Sequence, residues 1–162
     1  MTERIIEKMI HYYRKDVRRI NHALKVYGFA NCIARREKLS DNETRIIDMA
    51  SILHDIGIPE AEKKYNSSAG HYQEMEGPVI ASDLLSEFSL DSETVDRICF
   101  IVGNHHSYQK IDGVDFRIVV EADFLVNIYE DEIPAGMVTS IREKYFQTQT
   151  GLLFLESMYS LR

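Results

Sequence analysis

Histidine and aspartate residues that could bind a metal ion recur through the middle of this chain. The most distinctive stretch is "ASILHDIGIPE" at residues 50–60, where an apolar run ends in His54 and Asp55 and is then broken by Gly57 and Pro59. The same residue types recur at the predicted ends or inner faces of other helices, at His22, His71, His105, His106 and Asp123. Alone, each is typical of a core histidine with one hydrogen bond, or of an aspartate that caps a helix or pairs with an arginine.

Taken together, these side chains favour a metal site over a set of unrelated core residues. A buried carboxylate is costly unless it is paired or bound to a metal. Imidazole together with carboxylate suits one or two divalent transition metal ions such as Fe, Mn, Co, Ni or Zn. The absence of paired cysteines argues against a closed structural zinc site. A metal-free structural histidine cluster is the alternative.

Apolar stripes at helical spacing indicate that two of the candidate ligands face the core. One stripe consists of His22, Val26, Phe29 and Ile33. The other consists of Phe116, Val119, Val120, Asp123 and Val126. Because residues at this spacing share one helix face, His22 and Asp123 are predicted to point inward.

The chain is predicted to be all-α, with six or seven helices in a single domain of residues 1–162 and a motif-bearing core at about residues 16–130. Ser40 and Glu43 form a predicted capping box, and the helix that follows is apolar on nearly every side, so it belongs in the middle of the fold. Residues 62–70 are predicted to be an exposed loop. The predicted helices cover about residues 3–13, 16–38, 43–55, 71–88 with a bend or restart at 77–78, 92–106, 115–131 and 137–160.

The composition indicates a soluble globular protein. The chain has 162 residues, of which 44% are hydrophobic and 28% are charged, a profile that suits one core. No window approaches the ~20 apolar residues of a membrane span, and the N-terminus lacks a signal-peptide core, so we expect a cytoplasmic protein. The net charge of −7 argues against nucleic acid as a partner. Cys32 and Cys99 have no CxxC spacing and are predicted to be buried free thiols.

The order of the histidines and aspartates resembles the HD-domain superfamily of metal-dependent phosphohydrolases over about residues 16–130. The resemblance rests on "LHDIG" after an apolar helix, an upstream histidine, a downstream "HH" and a later "EAD". It implies that His22, His54, Asp55 and Asp123 are the four ligands of one metal. Asp55 would bridge to a second metal in members with two. The additional ligands of those members match His71 and His105, with His106 beside them.

The resemblance also implies a reaction, the hydrolysis of a phosphate ester of a nucleotide or another small metabolite by a hydroxide that the metals activate. Asp55, His71 and His105 are the candidate catalytic residues, and His71 or an unligated His105 or His106 would protonate the leaving group. Arg18, Lys63 and Lys64 are candidate contacts for the substrate phosphate. A solvated loop is the competing interpretation of the two lysines.

Departures from well-known branches of the superfamily leave the substrate open. Cyclic-dinucleotide phosphodiesterases usually read "HDIGK" and "HHE…GYP", whereas this chain reads "HDIGIP" and "HHSYQK". Hydrolases of the alarmone ppGpp carry a Glu-Asp pair shortly after the HD, and here Glu60 stands alone. The alternatives to a phosphohydrolase are a mixed-valent di-iron oxygenase of the same superfamily and a non-catalytic HD-type binding or signalling module. The C-terminal helix is interpreted either as a core helix or as the face of a homodimer.

Overall fold

The computed structural model describes residues 1–160, and within this range the chain forms nine α-helices, a short 3-10 turn and no β-strand. The all-α prediction is therefore confirmed, whereas the number of helices is higher than predicted. None of the helices in this range has the length and apolar character needed to cross a membrane. That residues 1–162 form one domain stays a prediction. The helices are α1 (Thr2–Tyr13), α2 (Val17–Arg36), α3 (Asp41–Leu53), α4 (Ile58–Tyr65), α5 (Gly70–Leu85), α6 (Ser92–Val102), α7 (Val114–Glu130), α8 (Ala135–Tyr145) and α9 (Gln149–Tyr159), with the 3-10 turn at Tyr108–Lys110.

Helix α3 lies in the middle of the fold, as its apolar sequence predicts. All of residues 46–53 are buried, and the helix packs against α1, α2, α6 and α7. Its start is fixed by the predicted capping box, in which Ser40 Oγ accepts a hydrogen bond from Glu43 N and the Glu43 carboxylate accepts one from Ser40 N. The turn after α3, which carries His54 and Asp55, consequently opens into the interior.

Helices α2 and α7 pack against each other through the two predicted stripes. His22, Val26 and Ile33 are buried and Phe29 is half-buried on α2. The predicted stripe of α7 is buried throughout, Asp123 included. The packing of these two faces brings His22 and Asp123 together.

Two segments differ from the predicted helices. Residues 62–65, predicted to lie in an exposed loop, form the last turn of α4. Pro59 lies in the first turn of α4, where its missing N–H costs no hydrogen bond. The predicted helix over residues 137–160 is two helices, since Phe146 is extended and Thr148 caps α9.

Glu121 explains why the predicted long helix is interrupted between α8 and α9. This α7 residue is fully buried, and its carboxylate accepts hydrogen bonds from Gln147 N at 2.7 Å and from Thr148 N at 3.0 Å. The Thr148 hydroxyl donates to the same carboxylate. Since a helix through residues 147 and 148 would use these N–H groups itself, the buried carboxylate holds the connection open.

The cysteines are free, but they are not buried as predicted. Cys32 is exposed and Cys99 is half-buried. Cys32 stands one residue before the buried Ile33, and one residue turns the side chain by about 100° around a helix axis. Apolar neighbours in the sequence therefore do not bury Cys32.

The turn between α3 and α4 passes close to α5 at Gly57. A Cβ atom on Gly57 would overlap the carbonyl oxygen of Gln73 and lie 2.7 Å from Gly77 N. Helix α5 continues without a restart through Gly77 and Pro78. Gly57 has a φ of −74°, so the requirement for glycine comes from the close approach of two backbones and not from its dihedral angle.

We expect Gly57→Ala to lower the free energy of unfolding by about 3 kcal/mol, the upper end of the cost of overpacking, because rigid backbone surrounds the new methyl group. Urea unfolding followed by circular dichroism measures the change. Gly28→Ala is the matched control, since a Cβ there meets nothing within 4 Å and alanine favours the interior of a helix. Equal stability of the two variants would contradict the expectation.

Candidate metal centre

Six of the predicted ligands lie close together at the inner ends of the central helices. They come from α2 (His22), the turn after α3 (His54 and Asp55), the turn after α6 (His105 and His106) and α7 (Asp123). Their candidate ligand atoms form two groups of three, and within each group these atoms lie within 4.8 Å of one another. The fold thus assembles residues that are up to 101 positions apart, from 22 to 123 in the sequence.

The first group consists of His22, His54 and Asp123, all of them buried. His22 Nε2 lies 3.1 Å from His54 Nε2 and 3.2 Å from Asp123 Oδ1. His54 Nε2 lies 3.5 Å from the same Asp123 oxygen. Ligand atoms that share one ion at about 2.0–2.2 Å are themselves about 3 Å apart, so this spacing fits one metal ion.

The second group consists of Asp55, His105 and His106. Asp55 Oδ1 lies 3.3 Å from His105 Nε2. The other oxygen, Asp55 Oδ2, lies 3.5 Å from both His22 Nε2 and His54 Nε2. The carboxylate of Asp55 therefore presents one oxygen to each group.

Hydrogen bonds on the far side of the imidazole rings orient the Nε2 atoms as ligands. His54 Nδ1 donates to the Ser51 carbonyl oxygen at 2.8 Å, and His22 Nδ1 donates to Glu130 Oε2 at 2.8 Å. With the proton on Nδ1, each neutral ring has a lone pair on Nε2. Two lone pairs facing each other at 3.1 Å repel unless a proton or a metal ion lies between them, and a divalent metal would supply that positive charge.

His105 gives a second indication of a metal ion. Its Nδ1 donates to the Val102 carbonyl oxygen at 2.8 Å. Its Nε2 atom is buried and lies 3.3 Å from Asp55 Oδ1, but it makes no well-formed hydrogen bond to any group within residues 1–160. A buried ring nitrogen without a hydrogen bond is costly, and coordination of a metal beside Asp55 would satisfy it.

The electrostatics of the cluster favour a cation. Burial alone would lower the pKa of His54, but the carboxylates of Asp55 and Asp123 outweigh it and raise that pKa to about 9. Burial would raise the pKa of Asp123, but hydrogen bonds and charge from His22 and His54 hold it well below its usual range. Two ionised carboxylates in a buried site require positive charge beside them.

His71, a predicted ligand and proton donor, is not brought to the cluster. Helix α5 begins at Gly70, and His71 in its first turn is exposed, with its ring 3.9 Å from that of Tyr72. Gln73, which is buried, lies about 200° further round the helix and lines the site instead. His106 Nε2 donates to Gln73 Oε1 at 3.2 Å. Gln73 thus occupies the inward position that was assigned to His71.

Of the three predicted phosphate-binding residues, one lines the site cavity and two lie outside it. Arg18 lines the site cavity, with its side chain 80% exposed and 3.8 Å from Asp131. Lys63 is exposed and pairs with Glu60, and Lys64 pairs with Glu76 at 2.6 Å. The two lysines are therefore solvated helix residues that do not line the site cavity.

Arg19 belongs to the site, and Tyr13 lies near enough to Asp55 to be affected by its charge, although the sequence analysis did not select either residue. Arg19 lines the cavity, and its guanidinium is held by Asp16 and Glu62, each at 2.6 Å. The Tyr13 hydroxyl is buried without a hydrogen-bond partner in residues 1–160. Burial and the charge of Asp55 raise the pKa of Tyr13 well above its usual value, so the hydroxyl remains a donor. The feature of the sequence that could have pointed to Arg19 is its position next to Arg18, a predicted phosphate contact.

The cluster opens into a cavity of about 340 Å³. His22, Asp55, His106 and Asp123 form part of its wall. Pockets for small ligands generally begin at about 300 Å³. The cavity is therefore large enough for a small polar ligand.

We expect Glu130→Gln to weaken metal binding by about tenfold, the lower end of the effect of removing a carboxylate that orients a ligating histidine. Glu130 accepts from His22 Nδ1 and also pairs with Lys25, and the substitution removes its charge while keeping its shape. Competition with a fluorescent chelator measures the affinity. The exposed Glu143 provides the control Glu143→Gln, and an equal effect of both substitutions would contradict the role of Glu130.

Comparisons with known proteins relate the chain to a known family and a known fold. The family model described as "HD domain" matches residues 19–142. A crystal structure described as a predicted HD superfamily hydrolase from an uncultured Thermotogales bacterium is similar to the chain, with a TM-score of 0.71 and 24% sequence identity. The alignment covers 96% of this chain and 83% of the other. No curated protein sequence matches the chain significantly.

Proposed function

We propose that this chain, which belongs to the HD domain family, is a metal-dependent phosphohydrolase that cleaves a phosphate ester of a nucleotide or another small metabolite. One observation carries the proposal, namely the position of the Asp55 carboxylate, whose two oxygens face two different groups of histidines at 3.3–3.5 Å. A carboxylate placed in this way suits a pair of metal ions better than a single ion.

In this proposal each group of donors would hold one ion, and Asp55 would contribute to both. His22, His54 and Asp123 would complete the first set, and His105 and His106 would complete the second. Bound divalent ions would supply Lewis acidity toward a phosphoryl oxygen and would lower the pKa of a bound water. Fe, Mn, Co, Ni and Zn all accept these ligands.

The residues around the ligands define how a substrate phosphate would be held. Arg18 and Arg19 line the cavity and provide positive charge for the phosphate oxygens. Arg19 is pre-oriented by its ion pairs with Asp16 and Glu62, so it loses little freedom on binding. Burial and the neighbouring His105 lower the pKa of His106 to about 4, which keeps this ring neutral and available as a ligand.

The test is the metal content of protein purified without chelator, followed by phosphate release from a panel of phosphate esters under argon. We expect close to two metal equivalents by elemental mass spectrometry and release of phosphate without oxygen. Turnover that requires oxygen and yields no phosphate under argon would instead favour the di-iron oxygenase. A protein that binds metal and hydrolyses no ester with Mn, Fe, Co, Ni or Zn would overturn the proposed reaction.

A further inference from the structure

We infer that the organic part of the substrate binds in a second cavity next to the metal centre, and that this part is an uncharged aromatic group of about nucleoside size. The inference rests on the proposed function for the phosphate end of the substrate. The second cavity has a volume of about 690 Å³, roughly twice that of the cavity at the metal ligands. In a phosphate ester that spans both cavities, the organic group would therefore take up more volume than the phosphate.

The two cavities adjoin at Arg18 and Glu130, which line both of them. Glu130 holds His22 from this side through a hydrogen bond of 2.8 Å. The two cavities thus share part of one wall. Arg18, which is mostly exposed, stands where a phosphate and its ester oxygen would pass from one cavity to the other.

The walls of the second cavity are suited to a flat apolar group. They come from the end of α7, the start of α8 and the end of α9, and include Ile128, Ile133, Val138, Tyr129 and Tyr159. Tyr129 is 76% exposed, so its ring is available for stacking on a ligand. The Tyr159 hydroxyl donates to the Leu125 carbonyl oxygen at 2.6 Å, which holds this second ring in place.

The charges in the second cavity argue against a second phosphate or a carboxylate on the organic group. Two acids, Glu130 and Glu132, line it against one base, Arg18, and the carbonyl groups at the end of α7 add partial negative charge. Hydrogen-bond donors such as hydroxyl and amino groups are favoured beside these acids. A nucleoside monophosphate has this combination of one phosphate, donor groups and a neutral aromatic ring.

The test uses AMP, glycerol 3-phosphate and adenosine as probes with the metal-loaded full chain. Tyr129→Ala removes the exposed ring, and Ala135→Trp fills the cavity from an exposed position. We expect both variants to lower the ratio of kcat/KM for AMP to that for glycerol 3-phosphate by about fivefold, the size of one lost aromatic contact. The Kd of adenosine, measured by calorimetry, should rise by a similar factor. Val79→Ala on α5, 73% exposed in the wild type, should change neither quantity.

The adenosine titration separates this inference from the proposed reaction. Adenosine has no phosphate, so its binding reports on the second cavity even if no ester is hydrolysed. Selective weakening in the two cavity variants supports the inference. Absence of adenosine binding to the wild type, or equal binding to the wild type and Ala135→Trp, overturns it. Hydrolysis of glycerol 3-phosphate in preference to AMP would overturn the inference while the phosphohydrolase assignment stands.

Discussion

Asp55→Asn is expected to lower phosphate release on the order of 10³-fold or more and to reduce the metal content below one equivalent per chain. Among residues 1–160, Asp55 is the one side chain whose oxygens face both groups of histidines. The amide keeps the size of the carboxylate, but it removes the negative charge and replaces one oxygen with an NH₂ group that cannot bind a metal. Both proposed ions would therefore lose a ligand at once.

Asp48→Asn is the matched control for this experiment. Asp48 lies in α3, the helix that leads into the turn carrying Asp55. It is buried and accepts a hydrogen bond from Asn31 at 2.8 Å. Burial raises the pKa of Asp48, so a neutral amide suits its environment. We expect Asp48→Asn to keep both metal and activity. If Asp55→Asn kept two equivalents of metal, the carboxylate would not bridge, and the two-metal proposal would fail.

The part of the site that could be predicted from the sequence is the part fixed by helix faces. His22 and Asp123 lie on apolar stripes, and such stripes face the core whatever the rest of the fold does. His54 and Asp55 follow directly on a helix that is apolar on nearly every side. Local pattern is therefore enough to single out these candidate ligands without knowledge of any tertiary contact.

Residues near helix starts could not be assigned in this way, because the phase of a helix depends on where it begins. An error of one or two residues there turns a side chain by about 100–200°. This is why Gln73 lies in the site while His71 is exposed. Arg19 is likewise held beside the site by Glu62. Glu62 lies in α4, in a segment that the sequence predicted to be a loop.

Contacts between distant segments account for the remaining differences between the predicted and the observed structure. The break between α8 and α9 depends on Glu121, a buried carboxylate 26 residues before Gln147. The requirement for glycine at position 57 depends on α5 backbone at Gln73 and Gly77. Neither relation leaves a periodic signal in the sequence, because each is a single pairing of groups far apart in the chain.

Removal of metal from the wild-type protein is expected to lower the melting temperature by about 10 °C or more for each ion lost. A ligand present at a thousand times its Kd stabilises the folded state by about 4 kcal/mol, and in a chain of this size 1 kcal/mol corresponds to about 2–4 °C. The unfolded chain does not bring residues 22, 54, 55, 105, 106 and 123 together, so the metal binds the folded state almost exclusively. Differential scanning fluorimetry before and after dialysis against EDTA measures the shift.

The charge balance of the cluster explains why chelation should weaken the fold without abolishing it. Without metal, His54 can be protonated, because the neighbouring carboxylates raise its pKa to about 9, and this supplies one positive charge to the cluster. Two divalent ions would supply four. Asp55→Asn protein treated in the same way is the control and should show little further change, since it has already lost its metal. Return of the wild-type melting temperature on adding Mn, Fe, Co, Ni or Zn would show that the shift comes from the site. A wild-type melting temperature that EDTA leaves unchanged, in protein confirmed to be metal-free, would mean that the buried histidines and carboxylates stabilise one another without a metal.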